Sequence, residues 1–225
     1  MLLLLLVLLV GLAVVADRVA LSQTETRVAD LLRTHLDLTD QPTVAVTGVP
    51  FLTQLAVGEF GHVELAARGI PAGTPERPLL VDRMELDLWD VRTSDRFRRA
   101  DAERLTGSAG VTWAEITQQI GAAVTPQEDG RVQVDITADL YGQQVPFVVS
   151  AKPVLDRTAQ LVHLREPRVL VARYQIPDDV VERMAQESVP PIELSLPMGL
   201  SAGDLRVGRT HLELDLAGEA VRLIG

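Results

Sequence analysis

Leu79 to Thr93, LLVDRMELDLWDVRT, alternates apolar and charged side chains for fifteen residues. Leu80, Met84, Leu86 and Leu88 share one parity, interrupted by Asp82, while Arg83, Glu85 and Asp87 take the other. A side-chain period of two is extended backbone with one face against a core. Fifteen extended residues cover ~50 Å, whereas a usual strand has ~5–6 residues. Such a strand must twist and coil, or be broken by a bulge. The chain therefore has to build a sheet with a long apolar face and supply something to cover it.

The segments on either side of this strand are largely sheet as well. Val44 to Val49 reads as a strand that Gly48-Val49-Pro50 stops, because Pro50 brings no N–H to a ladder. Phe51, Leu52 and Leu55 then fall at the spacing of one helical turn, Gly58 ends it, and Glu59 to Ala67 is extended again. Ile70 to Pro78 reads as a proline-punctuated loop. Downstream, strands are expected over Arg104–Val111, Arg131–Leu140, Val145–Ala151 and Leu161–Arg173, and short ones over Ile192–Leu196, Leu205–Val207, His211–Leu216 and Ala220–Ile224. Three amphipathic helices interrupt this series. They are Asp17 to Leu38, Trp113 to Ile120 behind the capping box Thr112-x-x-Glu115, and Pro177 to Glu187, whose apolar side holds Val180, Val181 and Met184. The expected class is α+β: a long, curved antiparallel sheet packed on a few amphipathic helices. Only 4% of residues are aromatic, so the core is mostly aliphatic.

Met1 to Ala16 carries neither charge nor polar side chain. As a helix it spans ~24 Å, against ~30 Å of bilayer hydrocarbon. Residues 1–16 are read as a signal peptide or a membrane anchor, with Val14 and Ala16 small enough for cleavage after Ala16. If the segment stays attached, it can run into Asp17 to Leu38 as one helix; the plainer expectation is a surface helix packed on the sheet. Residues 17–225 are read as one domain.

The formal charge of −10 argues against a general nucleic-acid binder. The chain has no cysteine, which excludes disulfides and thiolate chemistry. His35, His62, His163 and His211 show no metal-ligand spacing, and no nucleophile elbow, phosphate loop or dinucleotide glycine run occurs. Asp82, Glu85, Asp87 and Asp90 cluster, but a strand of this kind needs a charged solvent face. No catalytic residue, metal or cofactor is therefore expected. Arg92 to Arg99, RTSDRFRR, is a local positive excess in an acidic chain. Guanidinium forks match phosphate, and a solvated, salt-bridged turn is the plain alternative.

The sequence also resembles a known family. The blocks that carry the likeness are Pro42 to Gln54, with Gly48-Val49-Pro50-Phe51-Leu52-Thr53-Gln54 its most specific part, Thr112 to Ile116, and Leu196 to Leu200. They are similar to the LmeA-like phospholipid-binding proteins of actinobacterial envelopes. The resemblance implies a fold like the tubular lipid-binding (TULIP-like) domains, a phospholipid ligand such as a phosphoinositide, and an extracytoplasmic role in envelope lipoglycan assembly. It supplies no catalytic residue. The chain departs from the family pattern at Arg206 and His211, where many members carry apolar side chains.

The leading expectation is a non-enzymatic envelope protein that holds a phospholipid in an apolar groove between helices and sheet. Phe51, Leu52 and Leu55 of the helical turn, Met84, Leu86 and Leu88 of the long strand, and Ile116, Ile120, Val180 and Met184 of the later helices are the expected lining. Arg92, Arg96, Arg98 and Arg99 are the headgroup or membrane contacts, and an anionic membrane surface is the second partner. The alternatives are a membrane-tethered scaffold with a fully packed core, holding an envelope-assembly protein, and a lipid- or glycan-modifying enzyme.

Overall fold

The computed structural model describes residues 2–74, 77–94, 99–140, 143–171, 191–194, 196 and 199–224. Among them are three helices, α1 (Leu2–His35), α2 (Phe51–Val57) and α3 (Trp113–Ile120). The strands are β1 (Thr43–Thr47), β2 (Glu59–Thr74), β3 (Arg77–Ser94), β4 (Arg99–Thr112), β5 (Val124–Pro126), β6 (Val132–Leu140), β7 (Gln143–Asp156), β8 (Leu161–Val171), β9 (Ile192–Glu193), β10 (Ser201–Val207) and β11 (His211–Ile224). They form two open antiparallel sheets, ordered β1-β2-β3-β4-β11-β10 and β5-β6-β7-β8-β9. The class is α+β with a long antiparallel sheet. The expected helix over 177–187, with Val180 and Met184, lies outside the described residues.

Two segments and one face assignment are corrected by the structure. The proline-rich stretch 70–78 is not a loop: Pro71 pairs with Leu80 and Gly73 with Pro78, so β2 and β3 continue almost to the hairpin tip. His211 to Ile224 is one strand rather than two, because Ala220 takes a left-handed backbone (φ 50°) without breaking the ladder to β4. Finally, Leu80 does not share a face with Met84, Leu86 and Leu88. It is 48% exposed, while its neighbour Val81 packs on all three hydrophobic clusters.

The reason is a pair of creases that let the long strands bend. Gly61, Asp90, Glu103 and Ala220 fall in one cross-strand row, with left-handed backbone at Asp90 (φ 52°) and Ala220. Inward-facing residues on either side of this row are an odd number apart: Phe60 and Val63, Leu88 and Val91, Ala102 and Leu105, Leu216 and Val221. A two-residue period requires even spacing on one face, so all four strands skip one residue together. Gly69 (φ 61°) and Asp82 make the same shift at a second row, between Ala67 and Ile70 on β2 and between Val81 and Met84 on β3. The pairing register runs unbroken through both rows, so the strands change face together and no single strand bulges there.

The second sheet closes on α3. The Thr112 hydroxyl accepts the Glu115 N–H (3.3 Å), and left-handed Gly121 returns its N–H to Thr117 at the far end. Ile116 packs with Val124, Val132, Val134, Ile136, Phe147 and Val149, and with Val111 of the first sheet. The sheets are also joined by Gln160, whose side chain accepts the Ala202 N–H (2.7 Å) and donates to the Ala202 carbonyl (3.2 Å). At the β7–β8 turn, the N–H groups of Ala159 and Thr158 bond to Asp156 and hold its carboxyl below the ordinary carboxylate value. That turn is therefore stabilised at pH above the unfolded value and weakens as pH falls through the lowered one.

Gly107 is an inward position where a side chain has no room. A Cβ there would lie 2.2 Å from the Glu85 carbonyl and 2.7 Å from Leu86 Cδ2. At outward-facing Gly110 the nearest atoms are the Arg83 side chain, at 3.2 Å. Gly107→Ala should lower unfolding stability in denaturant by ~1–3 kcal/mol, the usual cost of overpacking, and Gly110→Ala by clearly less. Equal losses would show that the centre of the sheet has room to spare.

Candidate functional site

The inner face of the first sheet is apolar in continuous rows. Val46, Val63, Leu88 and Leu105 are cross-strand neighbours, as are Val44, Leu65, Leu86, Gly107 and Leu216, and Ala67, Met84, Ala109, Leu214 and Leu205. With strands ~4.8 Å apart, five strands make an apolar face ~20 Å wide. Its centre is closed by protein: Phe51 and Leu105 are fully buried, and Leu86 and Leu88 nearly so. Its margin toward β1 and β2 is partly open, because Val46, Leu55, Val63, Leu65 and Met84 are half-buried around that centre.

Two carboxylates of α1 fasten the cover to this face. Glu25 accepts the N–H of Val46 (2.9 Å), satisfying a donor on the edge strand. Asp17 accepts the N–H of Leu52 (2.8 Å) at the start of α2. The first turn of any helix leaves N–H groups without partners, and Pro50 before α2 has no side chain able to accept them. Asp17, itself 5% exposed, performs that service from another element. Residues 2–16 run on into the amphipathic segment as one helix, the alternative to the plainer expectation of a separate surface helix. The helix α1 runs unbroken from Leu2, its apolar first half exposed and its second half packed on β1 and α2. It is long and apolar enough to cross a membrane.

Of the expected lining, Phe51, Leu55, Met84, Leu86 and Leu88 come together in this one cluster. Ile116 and Ile120 belong to the separate cluster beneath the second sheet. Leu52 points away from both and is 41% exposed. Val180 and Met184 lie outside the described residues, as do Arg96 and Arg98. Arg92 and Arg99 are exposed on the β3–β4 hairpin near its tip, Arg92 3.8 Å from Glu59. This tip is tied to the end of α2: the Gly58 carbonyl accepts the Thr93 N–H (2.8 Å) and hydroxyl (3.3 Å). Asp17 and Glu25 escaped the sequence reading. The available signal for Asp17 was a lone carboxylate directly after sixteen apolar residues, together with a helix start that Pro50 cannot cap.

The outer face of the same sheet is polar. A cleft of about 290 Å³ there is lined by Arg83, Glu85, Ser108, Ala109, Arg206 and Glu213. Its arginines are already paired, Arg83 with Glu213 (2.6 Å) and Arg206 with Asp215 (2.8 Å). The hydrogen bond to Asp215 raises the Arg206 guanidinium further above its ordinary value. His211 meets Asp82 (2.8 Å) across β4. Arg206 and His211 thus face outward and leave the apolar rows intact. His62, Glu64 and Asp87 also converge on this face. Both ring nitrogens of His62 are taken, by Asp87 (2.8 Å) and Thr47 (3.2 Å), and its ring stacks on Trp89. Arg104 lies over the same Trp89 ring, 5.3 Å from its centroid. This is a cross-strand ladder of the kind that stabilises a sheet.

The family model for LmeA-like phospholipid-binding proteins matches residues 15–217. The chain belongs to that family, a phospholipid-binding family. Searches of curated proteins and of solved structures gave no match.

Removing the acceptor at residue 17 should loosen α2. Asp17→Ala should cost ~0.5–2 kcal/mol, the range for losing a helix cap, and should raise amide exchange first at Leu52. Asp17→Asn keeps an acceptor oxygen and should cost less. Unchanged exchange at Leu52 in Asp17→Ala would show that another group carries the cap.

Proposed function

We propose that this protein binds a phospholipid on the inner face of the first sheet and performs no catalysis. The observation that carries the reading is the half-buried aliphatic margin, Val46, Leu55, Val63, Leu65 and Met84, beside a closed centre, in a chain of the phospholipid-binding family. An acyl chain lies along that margin, with Phe51, Leu86 and Leu88 as its floor. Moving a methylene from water to an apolar site is worth ~0.8 kcal/mol, so a chain held along this margin is retained against release into water. Arg92 and Arg99 are placed to meet phosphate, singly or as part of an anionic leaflet. The phosphoinositide headgroup and the role in envelope lipoglycan assembly are the finer parts of the proposal. They draw on the family alone. The exposed apolar half of α1 supports an extracytoplasmic protein held at the plasma membrane.

The competing reading, a membrane-tethered scaffold with a packed core, draws on the complete burial of Phe51 and Leu105. Native mass spectrometry of the full chain, released from membranes in mild detergent, separates the two. Retained phospholipid in the wild type, reduced on the order of tenfold in Met84→Glu (~1.4 kcal/mol) with unchanged circular dichroism, is the expected result. Lipid-free wild type that also extracts no lipid from anionic vesicles would leave the scaffold.

A further inference from the structure

Beyond α1, the exposed large apolar residues among those described are Val49, Leu52, Val57, Leu80 and Val154. Val49, Leu52 and Val57 are 75%, 41% and 66% exposed, and all three belong to α2 or its entry. Isolated exposed apolar side chains are ordinary, but these three occupy a particular place. The start of α2 is hydrogen-bonded to Asp17, where the exposed apolar stretch of α1 gives way to packed helix. The end of α2 is hydrogen-bonded through Gly58 to Thr93, next to the β3–β4 tip. The short helix therefore bridges the root of the apolar helix and the hairpin that carries Arg92 and Arg99. Among the described residues near that tip, Arg92 lies against Glu59 and Arg222 against Asp101, and Arg99 is exposed beside them.

We propose that α2 and its entry are an interfacial wedge: Val49, Leu52 and Val57 dip into the lipid surface and seat the end of the first sheet on the bilayer, with Arg92 and Arg99 at the headgroups. The occupant is a membrane because the surface is continuous with Leu3 to Val15, whose side chains are exposed along an unbroken helix. Apolar side chains at the acyl boundary flanked by cations are what an anionic leaflet binds. The consequence is an orientation. The half-buried margin at Leu55 belongs to the same short helix, so the wedge places it beside the leaflet. The inference rests on the reading of residues 2–16 as a membrane segment, and does not depend on whether lipid enters the apolar face.

The chain has no cysteine, so single labels can be placed in it one at a time. Val49→Cys, Val57→Cys, Leu80→Cys and Val10→Cys, each carrying an environment-sensitive fluorophore, are reconstituted in phosphatidylcholine vesicles with and without phosphatidylglycerol. Leu80 is the reference because it is 48% exposed near the opposite end of β3. Positions 49 and 57 should be quenched several-fold more than position 80 by nitroxide-labelled acyl chains, and less by aqueous iodide. Arg99→Glu should reduce the lipid-borne quenching at position 57 on anionic vesicles and leave it unchanged on neutral ones. Labels at 49 and 57 that match position 80, while position 10 is quenched from the lipid, overturn the wedge and leave the anchor standing. Iodide access at position 10 overturns both. Lipid retention measured by mass spectrometry is a separate readout that neither result alters.

Discussion

The rest of the structure depends on a steric constraint: paired strands of sixteen and eighteen residues cannot stay flat. If such a ribbon simply curled, its apolar side chains would diverge from any common centre. Here four strands skip a residue in the same row, so the sheet turns while Phe60, Val91, Ala102 and Val221 stay on the core side. Left-handed backbone at Asp90 and Ala220 is the local cost, about 1 kcal/mol for each residue with a Cβ. Both sit within ladders that hold them in place. The apolar face, its cover and the outward charges all depend on which residue is skipped.

The same skip explains what could and could not be read from the sequence. The α+β class, the capping box at Thr112 and the cluster of Phe51, Leu55, Met84, Leu86 and Leu88 follow from periodicity, because within each unbroken stretch the period of two holds. Leu80 was misplaced because parity was carried straight through Asp82. An aspartate at an inward position looked like an interruption of a face, when it was the point at which the face changed sides. The loop over 70–78 was misread for a different reason. Proline forbids a ladder hydrogen bond, but Pro71 and Pro78 stand close to a hairpin tip, where few such bonds are needed. Separation of Ile116 and Ile120 from Phe51 was invisible in one dimension, since nothing local states which sheet a helix will close. Asp17 shows a further limit: an acceptor thirty-five residues from its donor is a tertiary fact.

For a lipid already in a membrane, the relevant energy is not transfer from water. Hydrocarbon in a bilayer is as apolar as hydrocarbon against leucine, so moving an acyl chain between the two changes little in hydrophobic free energy. What then decides occupancy is packing, headgroup contact and the exposure of chain during the move. A face closed at its centre and partly open at its margin suits that exchange better than a deep empty tunnel. Met84 suits its wall, since an unbranched thioether side chain can adjust around a flexible guest. The charges on the outer face are paired. With Arg83, Arg206 and His211 each matched to a carboxylate, that side offers anions little attraction, and exposed pairs of this kind add little stability of their own.

The unbroken course of α1 past Asp17 has a mechanical meaning. A hinge would let the two halves of the molecule swivel independently, whereas the hydrogen bonds that Asp17 and Glu25 accept from separate elements clamp the helix against rotation about its own axis. Azimuth is thereby locked as well as height. Whatever grips the exposed stretch from the side, a neighbouring helix included, also sets the compass heading of the sheet.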